Sequence, residues 1–173
     1  MAIRRIFPGL RRNRRLDLAI FGLIVAGALL LLRFLPEPEI SHVSGRAHVI
    51  DGDSIVVSGV AIRLKGMDAP EAGQTCGAEG ANWPCGSEAS RRLAERLRGQ
   101  TVECSGSGYD VHGRLLARCR AGDTDVNAWM VEQGLAVSYD DYPAEERAAR
   151  KAGRGLWSGP FERPRDWRDR HGS

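Results

Sequence analysis

Residues 63–73 read RLKGMDAPEAG, placing an arginine, an aspartate and a glutamate within nine positions at the end of an apolar β-type run. Taken alone the stretch is explained by a polar turn, since Asp, Pro and Gly are ordinary turn residues. Asp51-Gly52-Asp53-Ser54 is likewise a hairpin turn by itself. The picture changes if adjacent strands bring Asp51, Asp53, Asp68 and Glu71 together. Clustered carboxylates repel one another and raise a pKa unless a cation sits among them, and clustered oxygens are what a hard cation such as Ca²⁺ takes. Arg63 and Arg114 add guanidinium forks matched to phosphate geometry. Cation, carboxylate base and two arginines suit the hydrolysis of a phosphodiester.

Such a set needs a scaffold that converges on it. RAHVI and SIVV read as strands around Asp51-Gly52, a strong hairpin dipeptide. VAIRLK is a third strand, with Ile62 and Leu64 alternating against Arg63 and Lys65. Simple alternation would point Arg63 and Asp68 to opposite faces, so Gly66 between them is expected to mark a bulge that resets the parity. Residues 73–86 form a Gly-rich loop. Ser87 is the expected N-cap of a helix through Arg98, with Gly99 as its stop. TVEC and LLARC are strands joined by the longer loop SGSGYDVHGR. Asp125 caps a short helix through Gln133, LAVSY is a last strand, and Pro143 opens a helix ending near Gly153. Three strands, helix, two strands, helix, short strand, helix suits a small barrel with packed helices, and an OB-type barrel is one candidate.

Residues 46–157 resemble the staphylococcal nuclease (thermonuclease) family through VIDGDSIVV, IRLKGMDAPE, GSEAS, DVHGRLLA, VNAWMVEQGLA and the closing GLW. The resemblance implies an α+β fold, a five-stranded OB barrel with about three packed helices. It implies a Ca²⁺-dependent nuclease, an endonuclease in the family pattern, that cuts DNA or RNA and leaves 3′-phosphates. Carried over residue by residue, Asp53 and Asp68 are metal ligands and Ala69 supplies a main-chain carbonyl where the family usually has threonine. Glu71 activates water, Arg63 and Arg114 bind the reacting phosphate, and Asp51 stands behind the ligands. His112 and Tyr139 are candidate substrate contacts; Val111-His112 replaces a lysine and tyrosine of the best-known member. The alternative, from another class, is a non-catalytic OB module binding nucleic acid, polysaccharide or protein at the cell envelope, because fold alone does not set function.

The 173 residues suffice for one domain with a core. The net charge of +3 is concentrated early: seven arginines precede residue 41, leaving 18 basic against 19 acidic residues beyond it. Any nucleic-acid contact must therefore come from a local patch. From Leu18 to Leu35 only Arg33 is charged, and six arginines precede the run. An uncleaved anchor is expected, rather than a cleaved signal peptide, with the N-terminus cytoplasmic. The expected organisation is a basic segment 1–15, a transmembrane helix 16–35, a linker 36–45, the OB domain 46–159 and a tail 160–173. This describes a single-pass protein of a bacterial inner membrane with its domain exported. No obligate protein partner is evident. In an oxidising compartment an even cysteine count favours disulfides. Of three possible pairings the local one, Cys76–Cys85 with Cys104–Cys119, is the simplest, and no Cys-x-x-Cys spacing supports zinc.

Overall fold

A computed structural model describes residues 14–32 and 39–172, which fall into two units divided between Glu37 and Pro38. In the first unit, helix α1 (Arg14–Leu32) carries exposed apolar side chains, among them Leu18, Phe21, Leu23 and Ile24. Among the described residues no helix is long and apolar enough to cross a membrane. The last three positions of the expected anchor, 33–35, lie outside the described residues, as does the basic segment before Arg14.

The second unit contains strands β1 (Ser41–Gly45), β2 (Ala47–Val49), β3 (Ser54–Val57), β4 (Val60–Leu64) and β5 (Met67–Asp68), then helix α2 (Cys85–Leu97). Strands β6 (Val102–Tyr109), β7 (Leu115–Ala121) and β8 (Thr124–Asp125) lead to α3 (Val126–Glu132). Strand β9 (Val137–Ser138), α4 (Pro143–Ala152), a 3₁₀ turn (Gly155–Ser158) and α5 (Pro164–His171) complete it. The main sheet runs β1-β6-β7-β4-β3-β2, with β4 and β7 parallel. Its two outer strands are consecutive in the chain, separated only by Arg46. One bent segment thus lies at both ends of the sheet, which curls round on itself in the OB-like manner expected. The interior is filled by Ile55, Val57, Ile62, Leu64, Leu93, Leu115, Val126 and Met130.

Several boundaries differ from expectation, each for a tertiary reason. The linker over 36–45 is a strand from Ser41 onward, because Val43 packs on the core and residues 41–45 pair with β6. The loop SGSGYDVHGR is mostly strand: β6 resumes pairing past a register shift between Gly106 and Tyr109, and only residues 110–114 turn. Helix α2 begins two residues before Ser87, with Pro84 as a cap that makes no side-chain bond. Its first turn is satisfied instead by tertiary contacts, Gly86 N–H donating to Gln74 O and Cys85 being joined to Cys76. Asp125 does cap α3, accepting from Ala128 N at 2.9 Å. Both expected disulfides are formed.

The parity problem is solved by a turn, not by a bulge. Lys65 and Gly66 turn the chain out of β4 so that β5 pairs with β9 in a separate two-stranded sheet. Gly66 has φ +83°, and a Cβ there would meet the Asp141 side chain at 2.5 Å; only glycine suits both conditions. Buried Asn127 fastens the turn, its Nδ2 donating to Lys65 O and Ala117 O while its Oδ1 accepts from Cys119 N. The expected tail 160–173 is also no tail, since it carries α5. Four α-helices pack in this unit where about three were expected.

Candidate active site

The turn at Gly66 brings Arg63 and Asp68 onto one side. Arg63 Nη2 lies 2.8 Å from Asp53 Oδ2 and 3.1 Å from Asp68 Oδ1, so carboxylates from two different elements converge on one guanidinium nitrogen. Both aspartates are buried. Burial, reinforced by the neighbouring charges of Asp51 and Asp68, pushes the Asp53 carboxyl up to about 7 against the opposing pull of Arg63. Asp51 stands directly behind, its Oδ1 accepting from Asp53 N at 3.0 Å and shaping the hairpin turn.

Arg114 reaches the same place from the start of β7. Its Nη1 donates to Ser54 Oγ at 2.7 Å, and Ser54 Oγ donates to Asp53 Oδ1 at 2.9 Å. Asp110 aims it: one carboxylate oxygen accepts from Arg114 Nε at 2.7 Å, the other from the backbone N–H groups of Arg114 and His112. Burial would raise the Asp110 carboxyl, but these hydrogen bonds outweigh it and hold it below its usual range. Asp110 and Ser54 were not singled out from the sequence. Asp110 closes an Asx-type turn with the Val111-His112-Gly113 loop, a local pattern that could have revealed it.

Glu71 is held through its backbone. Its N–H donates to Gln74 Oε1 at 3.2 Å and its carbonyl accepts from Gln74 N at 2.8 Å. Gln74 is wholly buried, and its Nε2 donates onward to Glu162 O at 2.7 Å. Gly86, in the first turn of α2, lies so close that a Cβ would come within 1.7 Å of the Glu71 carbonyl oxygen. The Cys76–Cys85 bridge closes the loop between these two contacts.

The residue that sequence reasoning missed altogether is Arg168, on α5. Its Nη1 bonds Asp68 Oδ1 at 2.9 Å and Glu71 Oε1 at 2.7 Å, and its Nη2 bonds Asp68 Oδ2 at 3.1 Å. Together with Asp51, Asp53, Arg63, Ala69, Pro70, Glu71, His112 and Arg114 it lines a cavity of about 410 Å³. An adjoining groove of about 530 Å³ shares Arg63, His112, Arg114 and Arg168, and adds Asp68, Tyr139 and Arg165. The structure thus gathers Asp51, Asp53, Arg63, Asp68, Ala69, Glu71, His112, Arg114 and Tyr139 around these two spaces. His112 and Tyr139 are exposed on their walls, and the disulfide Cys104–Cys119 lies apart, across the β6–β7 pair.

Among the described residues no group of three or more His, Cys, Asp or Glu side chains is arranged to hold a metal ion. The chemistry of the donors nevertheless fits a hard cation. Two buried carboxylates converge on a positive group, and one of them, Asp53, is hard to ionise without further positive charge.

The family model described as staphylococcal nuclease homologue matches residues 61–159. A succinoglycan biosynthesis protein, ExoI, of Rhizobium meliloti is 38% identical over 121 residues, covering 65% of this chain and 63% of its own length. A micrococcal nuclease of Shigella flexneri is 34% identical over 142 residues, covering 69% of this chain and 76% of its own. An uncharacterized endonuclease of Haemophilus influenzae is 29% identical over 134 residues, covering 69% of each.

Proposed function

Because the chain belongs to the staphylococcal nuclease homologue family, we propose that it is a hydrolase that cleaves phosphodiester bonds of DNA or RNA, dependent on Ca²⁺. The observation that carries this reading is the convergence of Asp53, Arg63, Glu71 and Arg114 on one cavity, with Asp68 joined to Arg63 from the adjoining groove. Two relatives bear the names micrococcal nuclease and uncharacterized endonuclease. Asp53, Asp68 and the Ala69 carbonyl are the groups that would hold the cation, which when bound neutralises charge on the phosphodiester. Glu71 takes the proton from a water whose oxygen attacks phosphorus. The 5′-oxygen departs and the 3′-phosphate remains. Arg63 and Arg114, fixed by Asp53 and Asp110, meet the charge that builds on the phosphoryl oxygens. His112 and Tyr139 border the path of the flanking nucleotides.

The full chain is expected to degrade single-stranded DNA or RNA with Ca²⁺ and to stop on chelation. Equal activity in both conditions would exclude the metal role of Asp53 and Asp68. Complete inactivity of folded protein that still binds nucleic acid would favour a non-catalytic envelope module. One observation does point toward that second reading, namely the engagement of Asp68 and Glu71 by Arg168.

The Cys76–Cys85 bridge has a different expected role from Cys104–Cys119. Closing about ten residues limits the unfolded ensemble by roughly 2–3 kcal/mol in the chain-entropy model. Since the loop also holds Glu71, where ~1 Å of misplacement can cost ~100-fold, the Cys76→Ser, Cys85→Ser variant should lose turnover even while folded. The Cys104→Ser, Cys119→Ser variant should melt earlier yet keep its specific activity at low temperature. If both lose stability alone, the loop bridge has no part in positioning Glu71.

Two bridged cysteine pairs also support an oxidising location. With the arginine-rich N-terminus, they support the segment 16–35 as a single-pass anchor in a bacterial inner membrane, with the domain exported. A topology reporter fused after Ser173 should be active only on the exported side, and cytoplasmic activity would overturn the arrangement.

A further inference from the structure

We propose that Arg168 is an internal competitor for the cation: α5 holds its guanidinium across Asp68 and Glu71 in the cation-free protein, and a divalent cation binds by displacing it, a mechanism that rests on the Ca²⁺-dependent reading above. Both oxygens of Asp68 accept from this one guanidinium, and Oδ1 accepts from Arg63 as well. Glu71 Oε1, the oxygen facing Arg168, is taken by the same Nη1. The one side chain therefore engages an expected cation ligand and the expected base together.

Coexistence is electrostatically unfavourable. A Ca²⁺ ion sits about 2.3–2.6 Å from a carboxylate oxygen. Arg168 Nη1 and Arg63 Nη2 already lie 2.9 and 3.1 Å from Asp68 Oδ1. Three positive groups around one partly buried oxygen would repel strongly, because like charges at such separations are poorly screened there. Arg63 also pairs with Asp53 and is positioned within β4, whereas Arg168 projects from an eight-residue helix near the end of the chain. Arg168 is the one placed to leave.

Helix α5 does not depend on this contact for its seat. Pro164 is buried at its first turn, Glu162 O accepts from Gln74, Glu162 pairs with Arg170, and Trp167 stacks on His171. The Arg168 side chain is a quarter exposed and lies on the wall common to the catalytic cavity and the adjoining groove. Released from Asp68, its guanidinium remains beside the path of a phosphodiester, with Arg165 on the same helix lining the groove. Cation binding thus frees Glu71 for water and turns α5 from a plug into a positively charged wall.

The test measures cation binding itself, by isothermal titration of the full chain with CaCl₂ in the absence of nucleic acid. Arg168→Met keeps the aliphatic stem that packs the helix and should bind Ca²⁺ at least ~10-fold more tightly, the gain expected if the released state is populated about one part in ten before binding. Arg168→Ala should behave alike, and Arg165→Ala should match the unmodified chain. Unchanged or weaker affinity in both Arg168 variants, with clear binding by the unmodified chain, overturns the competition and leaves the cation site standing. Absence of binding by all proteins overturns the cation site and the competition with it.

Discussion

Glu71→Ala is expected to lower turnover at least ~100-fold in saturating Ca²⁺, within the range that general-base catalysis contributes, while nucleic-acid affinity largely survives. The fold should be little disturbed, because the loop is held through the Glu71 backbone and Gln74, which the substitution leaves in place. Before the cation binds, the carboxylate's own partner, Arg168, keeps both oxygens of Asp68. Single-turnover cleavage and fluorescence anisotropy with a labelled oligonucleotide separate the two quantities. A near-normal rate would remove Glu71 from the mechanism, and parallel loss of binding and rate would recast it as a substrate contact.

Arg63→Ala should damage both catalysis and stability. Losing a preorganised partner for developing phosphoryl charge costs about 10²–10³ in turnover at comparable sites. The same change strips a cation from Asp53 and Asp68, both buried. Breaking a fully buried pair costs about 3–5 kcal/mol. Arg63 is a quarter exposed and Asp53 already tends to hold a proton, so about 2 kcal/mol is the reasonable expectation in chelator. Ca²⁺ should restore much of that loss by supplying positive charge at the same carboxylates. Thermal melts with chelator and with Ca²⁺ report this directly. An unchanged melting temperature in chelator would show that Arg63 does not compensate the pair, and a loss that Ca²⁺ leaves untouched would argue against a cation at Asp53 and Asp68.

Local sequence determined a great deal here. Alternation in VAIRL, the β-branched run of SIVV, the Asp51-Gly52 turn, the Asp125 cap and the Pro143 and Gly153 ends of α4 are each written within a few residues, because strand preference, hairpin geometry and helix capping are short-range. The types and order of Arg63, Asp68, Glu71 and Arg114 likewise suit phosphodiester chemistry by themselves. What the tertiary structure decided lies between distant segments. The edge strand at 41–45 exists because β6 offers it a partner, and the early start of α2 because Gln74 and Cys76 satisfy its first turn. Arg168 is the clearest case. ERPRDWRDRHG has a proline and a terminal glycine to bound a helix, but a charged, nearly apolar-free face gives no pattern saying where that helix packs. Its place in the site depends on a contact 100 residues away in the chain, and long-range ion pairs leave no periodic trace in sequence, since a charged residue in a salt bridge and one in water are written with the same letter.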